Sequence, residues 1–222
     1  MVVLATKVYV DGEAHERALD SLRSLVENDL AGLEVDYDIG VRDDDFPSVT
    51  VAGLDETAAR NVLRESWGEV TAHREAGETY VGTLDGWDDD GFVLDAGEAV
   101  RVPADELGLG AGSPSQIRTR FGLVQHVPLQ FTVEEDSVRL ADDERDRLYD
   151  WTRGAGRVNV NSATRAEVRA TVNRAGHADD IVTVERLGLL EQSIVCKDET
   201  DPPGLLASVG EYLPAEMLCV VP

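Results

Sequence analysis

Lysine, cysteine and long apolar runs are scarce in this sequence of 222 residues. The only two cysteines, Cys196 and Cys219, stand in apolar segments, which predicts small buried side chains in a reducing compartment, with neither a disulfide nor a metal site. No run approaches the roughly eighteen apolar residues of a membrane-spanning helix, and the first residues do not resemble a secretory signal. We therefore expect a soluble, cytoplasmic protein without a membrane partner.

Known catalytic and metal-binding motifs are also missing. The four histidines are dispersed, and neither a Cys-x-x-Cys pair nor a Gly-x-Ser-x-Gly elbow is present. The glycine-rich loop from Gly108 to Pro114 precedes a predicted helix but lacks the lysine of a nucleotide-binding loop. We therefore expect no cofactor, no metal and no enzymatic activity, and keep an enzyme acting at this loop as the third alternative.

Acidic residues dominate the charge. The chain has 44 aspartates and glutamates against 20 lysines and arginines, a net charge of −24, and Lys7 and Lys197 are its only lysines. Such composition is typical of proteins that stay hydrated in concentrated salt. Salt of about 1 M shortens the Debye length to about 3 Å, so overall negative charge does not exclude an RNA partner. Stretches of the chain without carboxylates are therefore the places to look for a contact surface.

The first acid-poor stretch runs from Leu107 to Val133 and contains no aspartate or glutamate. Its polar residues include Arg118, Arg120 and His126. One interpretation is a surface that contacts phosphate or a protein through these side chains. The other is a buried connection between modules, and both stay open.

The second acid-poor stretch runs from Trp151 to Ala178, with Glu167 as its only acid. Its arginines are Arg153, Arg157, Arg165, Arg169 and Arg174. Because Arg165 and Arg169 are four residues apart, they share one face of a predicted helix, and Arg174 can lie nearby. This basic patch could hold a nucleic-acid backbone or an acidic protein. The alternative is that its arginines pair with Asp142, Asp143 or Asp146.

Apolar periodicity predicts an α+β protein of three modules. Residues 1–74 read strand, helix, strand, strand, helix, starting with a strand from Val2 to Val10, as in a ferredoxin-like module. Residues 75–137 read as a β-meander. Residues 138–222 read as one helix followed by βαββαβ, again ferredoxin-like. The pattern Thr164-x-x-Glu167 predicts a capping box at a helix start.

The meander predicts a five-stranded oligonucleotide-binding (OB) barrel, because closure removes the exposed edges of a small sheet. Trp87 and Phe92 flank its first hairpin. On an exposed sheet they would stack on bases; in a small barrel they would fill the interior instead. Arg101 is the only basic residue of the third strand.

Residues of the meander resemble the S1 RNA-binding version of this barrel, at Gly77–Leu84, Gly91–Val93, Gly97 and Pro103–Leu107. The whole chain resembles an uncharacterised archaeal domain-of-unknown-function family that is common in haloarchaea. That likeness is carried by Gly77–Gly82, Arg120–His126 and Asn173–His177. The S1 likeness implies RNA binding; the family likeness implies no activity.

Our leading hypothesis is a non-catalytic protein of the archaeal information-processing machinery that binds RNA or a ribonucleoprotein. The rival is a protein-interaction adaptor with a structural barrel, and the sequence does not predict the oligomeric state. The expected contact residues are Trp87, Phe92, Arg101, Arg118, Arg120, His126, Arg153, Arg157, Arg165, Arg169 and Arg174.

Overall fold

The computed structural model describes residues 1–222 and contains three antiparallel sheets and six α-helices. This confirms the predicted α+β class. Each sheet is built from one continuous part of the chain. We call these parts the N-terminal module (residues 1–73), the central module (74–152) and the C-terminal module (153–222).

The N-terminal module packs two helices on a three-stranded sheet of order β1-β3-β2. Its elements are β1 (Val2–Val3), α1 (Gly12–Asp29), β2 (Val35–Val41), β3 (Pro47–Gly53) and α2 (Glu56–Trp67). The helix α1 buries Ala18, Leu22 and Val26, which lie one turn apart on a single face. The apolar stripe in the sequence therefore predicted this helix correctly.

The first strand is much shorter than the predicted strand from Val2 to Val10. It ends at Val3, and after an isolated bridge between Leu4 and Glu69 the chain leaves the sheet. Thr6 and Tyr9 then bond to the C-terminal module. The long strand prediction was wrong because sheet pairing does not bury this run: Leu4 and Val8 pack in the N-terminal core, and Thr6 and Tyr9 contact the C-terminal module.

The central module is a five-stranded sheet of order β6-β5-β4-β7-β8. Its elements are β4 (Thr79–Asp88), β5 (Gly91–Asp95), β6 (Ala99–Pro103), a 3₁₀ turn (Ala104–Glu106), α3 (Pro114–Arg120), β7 (Pro128–Val133), β8 (Val138–Leu140) and α4 (Asp142–Trp151). The edge strands β6 and β8 approach one another, but no hydrogen-bonded ladder joins them. The 3₁₀ turn after β6 contacts both β5 and β8. The sheet curls without closing, so the expected closed barrel is not found.

The last strand and helix of the central module lie outside the boundary that we drew from sequence. The strand β8 pairs with β7, and α4 buries Leu148 and Trp151 in the core of this sheet. Residues 138–151 therefore pack with the central module, whereas the sequence analysis placed them with the third.

The C-terminal module has a four-stranded sheet of order β10-β11-β9-β12 with two helices. Its elements are β9 (Arg157–Val160), α5 (Arg165–Arg174), β10 (Ile181–Arg186), β11 (Gln192–Cys196), α6 (Pro202–Gly210) and β12 (Met217–Val220). The predicted capping box starts α5, since Thr164 and Glu167 bond each other's backbone N–H groups.

The cores of the modules interlock. Leu189 and Leu190, in the turn between β10 and β11, are buried within the core of the N-terminal module. Val220 at the end of β12 is buried within the core of the central module. Each such side chain contributes about 1.5–3 kcal/mol by leaving water. The C-terminal module thus fixes the positions of the other two.

Candidate nucleic-acid interface

A groove of about 560 Å³ runs between α1 of the N-terminal module and α5 of the C-terminal module. Its basic side chains are Arg17, Arg165 and Arg169, and its acidic ones are Asp20 and Glu167. We call it the α1–α5 groove. It brings together two of the arginines that were predicted as contact residues.

The Glu167 carboxylate is already engaged within the groove. It accepts hydrogen bonds from the Thr164 backbone N–H at 2.8 Å and from Arg17 Nε at 2.7 Å. Burial opposes its ionisation, but these hydrogen bonds and the charge of Arg17 leave the pKa of Glu167 below its ordinary value. Glu167 therefore caps the helix and pairs with Arg17, so it does not neutralise the α5 arginines.

Arg165 and Arg169 have no carboxylate partner. Arg165 donates from Nε to the Val184 carbonyl at 2.6 Å, and Arg169 makes no hydrogen bond or ion pair within the chain. Both are exposed on the same side of α5 and line the groove, where the sequence spacing predicted them. Their guanidinium groups can donate to an external anion.

Arg186, which the sequence analysis did not single out, adds a further positive charge near Arg165. Its guanidinium lies 4.0 Å from the centre of the Trp67 ring and forms no ion pair. Burial lowers the pKa of Arg186, and the nearby Arg165 lowers it further, while Asp29 acts in the opposite direction. Sequence gives no signal for this contact, because Trp67 and Arg186 belong to different modules.

Arg174 does not join the groove. Nine residues separate it from Arg165, which places it about 180° around the helix. Its guanidinium lies 4.5 Å from the centre of the Tyr212 ring. Arg174 could have lain near Arg165 from the sequence alone, but in the structure it lies against Tyr212 instead.

The two remaining arginines of the basic patch are paired within the protein. Arg153 bonds Asp150 at 3.0 Å, and Arg157 bonds Glu185 at 3.1 Å. Arg157 also packs on Trp151, at 4.6 Å from the ring centre. Internal pairing does occur here, although with other acids than the sequence analysis suggested.

Arg118, in the first acid-poor stretch, is buried between the central and C-terminal modules. It pairs with Glu216 and covers the ring of Trp87 at 3.7 Å. Glu216 also accepts from the Gln125 backbone N–H at 2.7 Å. Arg118 thus fits the second interpretation of this stretch, a buried connection between modules. Glu216, which is distant in sequence, supplies the negative charge that the stretch itself lacks.

The predicted stacking platforms are not available for bases. Phe92 is fully buried in the core of the central module, so the prediction that it contacts a ligand was wrong. Trp87 is half-buried, and Arg118 covers its ring. Arg101 forms two hydrogen bonds with the Asp88 carboxylate, at 2.6 and 2.9 Å. This hairpin therefore presents neither a free aromatic face nor an unpaired cation.

Arg120 holds the glycine-rich loop. Its guanidinium donates to the carbonyls of Leu109 at 3.2 Å and Ala111 at 2.5 Å. The adjacent hollow is lined by Ala111, Gly112, Ser115, Gln116, Thr119 and Arg120. It contains no acid, histidine or cysteine, and hence no pair of nucleophile and base.

His126 lies at the junction of the three modules rather than on an open face. Its ring packs against that of Tyr9 at 4.1 Å between centroids, with the two planes tilted by 40°. Burial and the charge of Lys7 lower the pKa of His126, which favours the neutral ring. It is therefore poorly suited to bind a phosphate by charge.

Two further observations concern metals and membranes. No cluster of three or more histidine, cysteine or acidic side chains is arranged to hold a metal ion. None of the helices combines the length and the apolarity that crossing a bilayer requires.

Family models match the chain in three consecutive segments: the DUF2110 N-terminal domain at residues 1–73, the central domain at 74–152 and the C-terminal domain at 155–221. The chain belongs to the DUF2110 family. This confirms the resemblance to a domain-of-unknown-function family, and the DUF2110 segments follow the three sheets. No curated protein matches the DUF2110 chain. In this DUF2110 protein the α1–α5 groove is shared between the N-terminal and C-terminal domains.

Proposed function

We propose that this protein is a non-catalytic, ribonucleoprotein-associated protein that binds the phosphate backbone of RNA in the α1–α5 groove. The observation that carries the proposal is the pair Arg165 and Arg169, exposed and without a carboxylate in a chain of net charge −24. Guanidinium groups donate two parallel hydrogen bonds to a phosphate. In concentrated salt such direct contacts matter more than long-range attraction.

The composition of the groove also favours contact with the backbone over contact with bases. Arg17 stands on its α1 wall, Arg165 and Arg169 stand on its α5 wall, and no aromatic side chain lines it. Phosphate contacts fix a nucleic acid in place but carry no sequence information. We therefore expect binding with little sequence preference.

The strand orders support finer fold assignments that we also propose. In the C-terminal module, β9, α5 and β10 form a β-α-β unit, and β11 lies between its two strands in the sheet. Ferredoxin-like folds have this split arrangement. The N-terminal module has the similar order β1-β3-β2, and the bridge between Leu4 and Glu69 adds one more pairing to it. The curled five-stranded central sheet supports an S1-like relationship without closure.

The test is fluorescence anisotropy of a labelled 20-nucleotide single-stranded RNA, titrated with the protein at several KCl concentrations. We expect the double variant Arg165→Gln, Arg169→Gln to bind at least tenfold more weakly. Because two phosphate contacts are lost, the slope of log affinity against log salt should fall by about 1.4. Its free energy of unfolding should fall by no more than about 1 kcal/mol, because the only internal hydrogen bond lost is that of Arg165 to the Val184 carbonyl.

The matched control is Arg153→Gln, which removes an exposed arginine that already pairs with Asp150. We expect this variant to keep the wild-type affinity and salt slope. Equal losses in the control and in the double variant would mean that net charge, and not the groove, determines binding. Absence of any RNA binding by the wild-type protein would overturn the proposal.

A protein-interaction adaptor is the second candidate, and the edge strand β10 favours it. Val182 on this strand is 64% exposed, and β10 pairs on one side only. An unpaired strand edge can accept a strand from another chain. Purification from native high-salt extract after nuclease treatment distinguishes the two functions, since an adaptor would retain a stoichiometric protein partner.

A further inference from the structure

Tyr9 of the N-terminal module contacts both of the other modules. Its hydroxyl donates to Glu191 Oε1 at 2.6 Å and accepts from the Ser162 backbone N–H at 2.9 Å. Its ring packs against the ring of His126 in the central module. One side chain thus joins three parts of the protein.

Glu191 is fully buried in this junction, directly after the leucines that enter the N-terminal core. Its Oε2 atom has no hydrogen-bond partner. A Cβ atom on Gly188 would lie 2.2 Å from that oxygen, so the backbone of the turn covers it closely. An ionised carboxylate here would keep one buried oxygen that accepts no hydrogen bond from the chain, which is unfavourable.

Burial accordingly raises the pKa of Glu191 to about 8, although the hydrogen bond from Tyr9 acts in the opposite direction. The same burial raises the pKa of Tyr9, so its hydroxyl keeps its proton. The carboxyl group is therefore mostly neutral at pH 7 while the modules are docked.

No nearby cation compensates Glu191. The charged groups around the junction are Lys7, Asp45, Asp85, Asp95 and Glu216. Lys7 pairs with Asp95 at 2.6 Å. Burial and the charge of Lys7 lower the pKa of His126 and so favour its neutral form.

We propose that Tyr9 and Glu191 form a proton-controlled latch, which holds the N-terminal module against the other two while Glu191 is protonated and releases it when Glu191 ionises. This latch does not depend on the proposed RNA binding. Opening returns the Glu191 pKa from about 8 toward its ordinary value of 4.5. The closed state therefore binds the proton more tightly, and docking weakens as the pH rises from 4.5 to about 8 and then levels off.

His126 gives the opposite pH dependence. Its lowered pKa means that the closed state disfavours the charged ring, so docking weakens as the pH falls below 6.5. Above pH 6.5 the contribution of His126 fades, whereas that of Glu191 continues to about pH 8. The interval from pH 6.5 to 8 therefore isolates the latch.

Hydrogen exchange of two backbone amides between modules measures the opening. The Ser162 N–H is bonded to the Tyr9 hydroxyl, and the Leu189 N–H is bonded to Thr6 Oγ1 at 2.9 Å. We expect the protection factors of both amides to fall about 15-fold between pH 6.5 and 8, with a slope that flattens as the pH approaches the Glu191 pKa of about 8. Amides in the ladder between β4 and β5 should keep constant protection factors. A parallel loss in that ladder would indicate global unfolding and overturn the latch.

The Glu191→Gln variant keeps an acceptor for the Tyr9 hydroxyl but cannot ionise, so its protection factors should stay constant over this pH range. The matched control Glu65→Gln, on the exposed side of α2, should retain the wild-type pH dependence. A constant wild-type profile, or the same decline in Glu191→Gln, would contradict the proposal. Tyr9→Phe should lower both protection factors at every pH, and their fall between pH 6.5 and 8 should persist. Unchanged protection factors in this variant would also overturn the latch.

Discussion

Arg118 on α3 and Arg169 on α5 stand in the two acid-poor stretches of the sequence, yet their environments in the fold are opposite. Arg118 is buried, pairs with Glu216 and covers Trp87. Arg169 is exposed and has no partner. The difference shows that a local lack of acids describes only the near neighbours in sequence, since Glu216 lies 98 residues from Arg118.

The largest expected effect tests whether the modules must interlock to form the groove. Leu190→Ala should lower the free energy of unfolding by about 2–5 kcal/mol, because it leaves a cavity in the N-terminal core. It should also weaken RNA binding, since α1 and α5 are then held together less firmly. Urea denaturation and anisotropy measure both effects. Leu54→Ala, at a side chain that is 87% exposed, is the control and should change neither.

The next effect concerns Arg118, the buried arginine of the comparison. Glu216→Gln leaves the charge of Arg118 buried without a carboxylate, and should lower the free energy of unfolding by about 3 kcal/mol. RNA affinity of the folded variant should stay at the wild-type value. A specific loss of affinity without a loss of stability would place the interface at Arg118 instead.

A smaller effect concerns the groove that the exposed Arg169 lines. Glu167→Gln keeps an acceptor for the capping box but removes the charge that pairs with Arg17. We expect RNA affinity to rise a few-fold, because Arg17 becomes free to contact phosphate, and stability to change by less than about 1 kcal/mol. Asp20→Gln, at the other acid that lines the groove, should act in the same direction. Weaker binding by both variants would contradict a phosphate site here.

The smallest expected effect on stability is that of Arg169→Gln. Since Arg169 has no partner within the chain, the free energy of unfolding should change by less than about 0.5 kcal/mol. The salt slope of RNA binding should nevertheless fall by about 0.7, as for one lost phosphate contact. A clear destabilisation would reveal an internal role and remove the contrast with Arg118.

The sequence predicted the elements that local chemistry determines. The first helix, the capping box of Thr164 and Glu167 and the hairpin flanked by Trp87 and Phe92 are all present. Each depends on residues within a few positions of one another. The shared face of Arg165 and Arg169 was predictable for the same reason.

Features that depend on contacts between modules were not predictable in this way. The run from Val2 to Val10 has the pattern of a strand, but Thr6 and Tyr9 bond to residues more than 150 positions away. Arg186 reaches the region of the groove through Trp67 of another module. Closure of the central sheet likewise depends on β6 and β8, strands far apart in sequence, which approach without pairing.

The most direct test of the account is photocrosslinking of the protein to 4-thiouridine RNA, followed by mapping of the modified peptides. The α1–α5 groove predicts crosslinks within residues 12–29 and 165–174, and their loss in the Arg165→Gln, Arg169→Gln variant. Crosslinks confined to the hairpin of β4 and β5, around Trp87, would contradict it, because that face has no free cation or aromatic surface.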